Sequence, residues 1–471
     1  MTERWFARPQ GPARKTILSY LAAWAVLMVI SLPDALFPYG VSKNQPGFFH
    51  AEATSHPLSG SLWLVLVVLI WLLWFRLVLQ SREESSPALR WLLLLPALVM
   101  LPFGWRAMSN DPMEYWLWSF GQVHFHLNPL AQVLGNTHWA WALRQSSWPH
   151  HPNPYGPLFW LWEWFLGHLP GVVYFWFLKL VALAGYAGAI PLLERLIRRA
   201  GRRPYWVLVA WGNPLVILEV IGGLHNDILL FLPALGALLL LERPTRRAGL
   251  AGVLLGLSLA VKPVFALALP ALGLWTARRW GFRRVLAETA GALAGSLVWF
   301  AVYGSPWTYL TWNLRYQTVI TGYSLAVLFY QFDHGLAIRI LGVLVWLAMS
   351  VWVAWQDSPW WAATVAVAVA FLGMISWVEP WYLVEVLPGL VVYGSRRLLW
   401  IVAPVAVGFE ITYGITMIGG FSSRAVSYWL VALAGLGLVI GQFWPTLGLG
   451  RAADGQRPPS PRTEQTDPAG A

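Results

Sequence analysis

Two carboxylates stand three residues apart in the stretch SNDPMEYW (109 to 116), in a chain where only 11% of residues are charged and 58% are hydrophobic. Asp111 and Glu114 admit two readings. Aspartate before proline, with glutamate three positions later, is how a helix begins, with Asp111 as N-cap, Pro112 at N1 and Glu114 at N3. The same aspartate can also take the proton of an attacking hydroxyl, which is general-base chemistry. Spacing alone leaves both open, and the roles are compatible.

Other chemistry-bearing residues follow in separate segments. In HHPNPYGPLFW (150 to 160), His150, His151 and Tyr155 cluster among prolines whose first role is to form turns. Adjacent histidines without a third ligand at motif spacing are a poor metal signature, so no metal site is assigned and a divalent ion is not indicated. In WGNPLVILEVIGGLHNDILLFLP (211 to 233), Glu219 lies within an apolar run, and His225, Asn226 and Asp227 follow a Gly-Gly turn. Asn226 or Asp227 can cap the next helix, but capping does not account for Glu219, which needs a partner or a cavity. Lys262, beside Pro263, either snorkels to the interface or meets a phosphate. Arg315 is a further cation, and Asp333, Glu379, Trp381 and Tyr382 read first as interfacial residues.

The elements that position these residues are set by lipid. With a mean hydropathy of +0.56 and Trp 33, the 471-residue chain has too much apolar surface for a soluble globule. Apolar stretches of about 15 to 25 residues recur between Ile17 and Trp444, the pattern of an all-α polytopic membrane protein. No cleavage site follows the first apolar run, which is read as a retained span. The net charge of +11 is concentrated in short connectors at 194–203, 242–247, 277–284 and 395–397. That is the positive-inside pattern and not a nucleic-acid surface. Cysteine is absent, which rules out disulfides and thiolate metal ligands.

With both termini cytoplasmic, parity predicts about 12 to 14 crossings within a single membrane domain, residues 1–447, and a disordered cytoplasmic tail, 448–471. Expected spans include 205–222, 227–242 and 425–446, with a break at Val261, Lys262 and Pro263. Residues 106–170 and 304–335 become extracytoplasmic loops, and the first holds an amphipathic helix expected to lie along the outer membrane surface. Asp111, Glu114, His225, Asp227, Lys262, Arg315, Asp333 and Glu379 then fall on the outer side or at the outer end of a span.

In sequence order, these motifs are an extracytoplasmic Asp with an amphipathic stretch, then LNPL, YGPLF, GNPLVILEVIGGLHND, VKP and EPWYLVEVLP. Over roughly residues 100 to 390 this order resembles the GT-C superfamily of membrane glycosyltransferases. Within it, the likeness is to bacterial polyprenol-phosphate-mannose-dependent α-mannosyltransferases of the GT87 type. Pro112 after the acid, and Leu130 where the family's NPY motif ends in an aromatic, are departures. The resemblance implies a multi-spanning GT-C-like fold, an outward active site, a lipid-linked sugar donor and an inverting transfer. It places Asp111 as the base.

That chemistry is self-consistent. Nucleotide sugars are not found outside the cell, so a donor must arrive on a membrane lipid such as a polyprenyl phosphate, and the chain shows no nucleotide fingerprint. Displacing phosphate from an anomeric carbon needs a carboxylate for the acceptor proton and cations or donors for the leaving group. Asp111 is the candidate for the first, and Lys262, His225 and Arg315 for the second. Glu114, Tyr155, Glu219, Asn226, Asp227, Trp381 and Tyr382 are expected to bind substrate or support the site. The acceptor is a glycolipid, glycan or protein. A lipid-linked glycan ligase or polymerase is the alternative; a flippase or secondary transporter would place its polar groups nearer the midplane.

Overall fold

The computed structural model describes residues 12–36, 57–80, 88–101, 111–136, 150–243, 247–319, 335–375, 378–394, 401–409 and 411. The first basic residues, the expected span at 425–446, the tail and Asp333 lie outside the described residues.

All regular structure assigned among the described residues is helical. Lipid offers backbone groups no hydrogen-bond partner, and a helix satisfies them within its own segment. The chain runs through α1 (Pro12–Leu36), α2 (Pro57–Gln80), α3 (Ala88–Met100), α4 (Asp111–His124), α5 (Pro157–Leu166) and α6 (Gly171–Arg199). Next come α7 (Trp206–Ala210), α8 (Pro214–Ile217), a π-helical turn (Leu218–Gly222), α9 (Asp227–Leu241) and α10 (Ala248–Val261). A 3-10 segment (Pro263–Ala268) leads to α11 (Leu269–Trp280), α12 (Phe282–Leu297), α13 (Phe300–Tyr303) and α14 (Pro306–Val319). Then come α15 (Gly335–Val353), α16 (Pro359–Gly373), a 3-10 turn (Pro380–Tyr382) and α17 (Leu383–Tyr393), and residues 401–409 are again helical.

Among the described residues, Val173–Arg199 and Phe282–Tyr303 are long and apolar enough to cross a membrane. Pro214–Gly222 and Asp227–Leu241, bent by 119°, add a third if they form one broken span, and several shorter apolar helices accompany them. The run expected as a single span over 205–222 is instead divided. Asn213 Oδ1 accepts from Val216 N at 3.1 Å with Pro214 at N1, so GNP starts a new helix inside the apolar run. The break at Lys262 falls where the sequence places it: α10 ends at Val261 and Lys262 is extended.

The helix against which α10 packs most extensively is α12. Gly252 and Gly256 of α10 face Gly291 and Gly295 of α12 across a seam where the backbones touch. A Cβ on Gly252 would strike the Glu288 carbonyl, and one on Gly291 the Gly249 carbonyl. This is the small-residue packing that lets apolar helices associate within lipid.

Helix α9 separates two chemical ends. Its 15 residues extend about 22 Å at 1.5 Å per residue. At its carboxyl end Arg199 donates to the Leu239 carbonyl (2.9 Å) and Glu242 (2.8 Å), and Arg284 to the carbonyls of Leu240 (3.3 Å) and Arg243 (2.7 Å). These arginines satisfy carbonyls that a helix end leaves without partners. Three basic connectors thus meet at one end of α9, and Asp227 opens the other.

Helix α4 corrects an expectation. Its residues from Asp111 to Ser119, with Gly121 and Gln122, are buried, so it does not lie exposed along a surface. It packs on α5 and α6, and its polar side chains find protein partners: Ser119 Oγ donates to Tyr174 Oη (3.1 Å) and Gln122 Nε2 to Glu163 Oε2 (3.3 Å).

Candidate functional site

Asp111 is the first residue of α4 and is buried. Its Oδ2 accepts from the Tyr155 hydroxyl at 3.1 Å and, more weakly, from the Tyr115 hydroxyl at 3.5 Å. Burial pushes the Tyr155 phenol well above its ordinary pKa, and the Asp111 charge adds to the shift, so Tyr155 stays protonated as a donor.

Tyr155 is aimed by its loop. The Asn153 side chain accepts from Tyr155 N at 3.0 Å, an Asx turn, and Gly156 N donates to the Val261 carbonyl at 2.8 Å. A Cβ on Gly156 would collide with the Ala260 carbonyl, so YGPL needs glycine for this approach. The contact has a consequence: it fixes Tyr155 in register with the end of α10, one residue before Lys262. The LNPL motif is structural in a similar way, since Asn128 Oδ1 accepts from Leu130 N (2.9 Å) and its amide donates to the Tyr303 carbonyl (3.0 Å).

The HND turn enters from α9. Leu224 has a φ of 55°, the left-handed region that a branched side chain rarely adopts, directly after the π-helical turn. This strained turn carries His225 between two carboxylates, with Nδ1 3.3 Å from Asp111 Oδ2 and Nε2 3.1 Å from Glu219 Oε2. The Trp381 indole stacks on the imidazole at a centroid distance of 3.8 Å. A Cβ on Gly223 would come within 2.7 Å of the His225 ring, so the second glycine of the turn gives the imidazole its room.

Beside it, Lys262 Nζ donates to Asp227 Oδ1 at 2.8 Å and lies 4.1 Å from the Tyr382 ring centroid, both a charge pair and a cation–π contact. Asn226 N donates to the Tyr115 hydroxyl at 3.3 Å, while both polar atoms of the buried Asn226 amide lack a hydrogen-bond partner among the described residues.

The structure therefore brings Asp111, Tyr155, Glu219, His225, Asn226, Asp227, Lys262, Trp381 and Tyr382 into one connected cluster. Arg315 sits exposed on α14, and Glu114 is buried on α4. Among the described residues no group of three or more His, Cys, Asp or Glu is arranged to hold a metal ion. His151 borders a shallow open depression together with Asn153, Tyr309 and Trp312. Partial burial lowers its pKa, and His150 adds to the effect.

Sequence reasoning missed Tyr115, Asn153 and Glu163. Glu163 is wholly buried, with Oε2 accepting from Asn153 Nδ2 at 2.7 Å. Burial pushes its carboxyl well above the usual range, against the pull of the Asn153 amide. Its signal was a lone acid in the apolar run PLFWLWEWFL.

No solved structure matches the chain. A relative, alpha-(1->6)-mannopyranosyltransferase A of Mycobacterium tuberculosis, is 29% identical over 251 residues, covering 50% of this chain and 47% of its own length. The match thus spans about half of that protein. The family described as "Alpha-(1->6)-mannopyranosyltransferase, N-terminal domain" matches residues 13–278, a segment that carries Asp111, Tyr155, His225, Asp227 and Lys262. Since that is more than half of its length, the chain belongs to the MptA_B family.

Proposed function

We propose that the protein is a membrane glycosyltransferase with a GT-C-like fold that moves mannose from a polyprenyl-phosphate donor to an acceptor hydroxyl on an extracytoplasmic glycan, glycolipid or protein. The observation that carries this reading is the pairing of Asp111, ringed by Tyr115, Tyr155 and His225, with Lys262 in the same buried cluster. The family description supports mannose and an α linkage. In one displacement the acceptor oxygen bonds to the anomeric carbon, its proton passes to Asp111, and the bond to the phosphate oxygen breaks, so that the lipid phosphate departs with the electron pair. An α product formed with inversion requires a β-linked donor.

Lys262, already charged against Asp227, turns toward the departing phosphate, and His225 and Arg315 are the further cationic candidates. The buried Asn226 amide, with no hydrogen-bond partner among the described residues, offers N–H donors and an acceptor oxygen to a sugar hydroxyl. Glu219 orients His225, Trp381 and Tyr382 wall the site, and Glu114 supports the first turn of α4. The cluster end of α9 faces outward and the arginine end faces the cytoplasm, as the positive-inside bias favours.

Mass spectrometry of outer-surface glycolipids and glycoproteins tests the function in cells. A strain lacking the chain should lose a mannose-bearing glycan, and the gene encoding the chain should restore it. An unaltered profile would overturn the reading.

A further inference from the structure

The catalytic reading gives no role to Glu163, the one carboxylate on α5, although it is wholly buried. A leucine would fill such a position at less electrostatic cost. The geometry supplies a reason for a side-chain acceptor oxygen there. Oε2 accepts from two amides at once, Asn153 Nδ2 at 2.7 Å and Gln122 Nε2 at 3.3 Å. Gln122 belongs to α4, the helix that begins at Asp111, and Asn153 belongs to the loop that carries Tyr155.

The contacts continue without a gap. Asn153 N donates to the Pro129 carbonyl at 3.1 Å, and Asn153 Oδ1 accepts from Tyr155 N at 3.0 Å. The Tyr155 hydroxyl then donates to Asp111 at 3.1 Å. Because the Asn153 amide donates to Glu163 through Nδ2, its Oδ1 is forced to face Tyr155 N. A flipped amide would lose both contacts. Glu163 therefore selects the rotamer of Asn153 that orients the tyrosine, and through Gln122 it holds the helix bearing the acceptor of that tyrosine's hydroxyl.

We propose that Glu163, acting through Asn153, is a positioning residue that sets the Tyr155 hydroxyl on Asp111. The proposal rests on the reading of Asp111 as the base, but its structural half stands apart from it. Removing the acid frees the Asn153 amide, unpins Tyr155 N and lets the hydroxyl leave the carboxylate.

Two measurements on the full-length protein in detergent micelles test it. Hydrogen exchange followed by mass spectrometry reads the Tyr155 amide without reference to activity. Glu163→Leu should speed exchange in the 150–156 segment, and Glu163→Gln, which keeps an acceptor oxygen, should leave it near wild type. Unchanged protection in Glu163→Leu would overturn the proposal.

The second measurement is a rate cycle with β-linked polyprenyl-phosphate mannose as donor and octyl α-mannoside as acceptor. Glu163→Leu and Tyr155→Phe should each lower kcat about ten- to a hundredfold with donor KM little changed. The double variant should be no slower than the worse single one. Losses that multiply would show that Glu163 acts elsewhere. If Glu163→Leu does not fold, Asn153→Ala replaces it in both measurements with the same expectations. Loosened exchange alongside a wild type that transfers no sugar would sink the glycosyltransferase reading and leave the brace standing.

Discussion

Asp111→Asn is expected to give a protein that expresses and melts normally yet transfers sugar at least a hundredfold more slowly. Asparagine retains an acceptor oxygen for the Tyr155 hydroxyl, at 3.1 Å in the native chain, and serves equally well at a helix start. It cannot take a proton. Loss of general-base help alone typically costs about 10² to 10⁴ in rate. The companion change, Glu114→Gln, keeps one acceptor oxygen on a buried side chain and should preserve most activity. Near-normal turnover by Asp111→Asn would reduce Asp111 to a structural residue and move the search for a base to Glu219 or Asp227.

Lys262→Met carries the largest expected effect on stability. Lys262 and Asp227 form a buried pair at 2.8 Å, so removing the ammonium strands a buried carboxylate. Breaking such a pair costs about 3 to 5 kcal/mol. Adding Asp227→Asn removes the stranded charge and should restore most of the loss in a thermal melt. Comparing the folded double variant with Asp227→Asn alone then isolates the role of Lys262 in donor use, which should fall about ten- to a hundredfold, the value of a charge-assisted contact of about 1.5 to 3 kcal/mol. A double variant with the wild-type donor KM would show that the lysine serves only the pair.

These two residues mark what could be read from the sequence. Asp111, the HND turn and Lys262 are ionisable groups in an apolar chain, and that cost makes each one conspicuous without knowledge of its neighbours. The basic connectors were equally plain, and three of them, 194–203, 242–247 and 277–284, gather at one end of α9, while 395–397 lies outside the described residues. Partners were not legible. That His225 sits between Asp111 and Glu219 under Trp381 depends on three separate segments, which no local pattern encodes.

The misreading of α4 has a specific cause. A polar stripe of Ser119 and Gln122 beside Trp116 and Phe120 fits a lipid surface, but it fits a buried polar neighbour equally well. Here the stripe meets Tyr174 and Glu163. The division of the run at 205–222 was visible in Gly212, Asn213 and Pro214, a cap and a first-turn proline whose local meaning was outweighed by the apolar residues on both sides.

Inverting transfer from a lipid-phosphate sugar can be measured on the purified chain in proteoliposomes. The measurement supplies mannose either β-linked to polyprenyl phosphate or linked to a nucleotide, and the linkage formed on an α-mannoside acceptor is read by NMR. Transfer from the lipid donor alone, with an α-linked product, is the predicted result; transfer from the nucleotide donor, or a β-linked product, would contradict it.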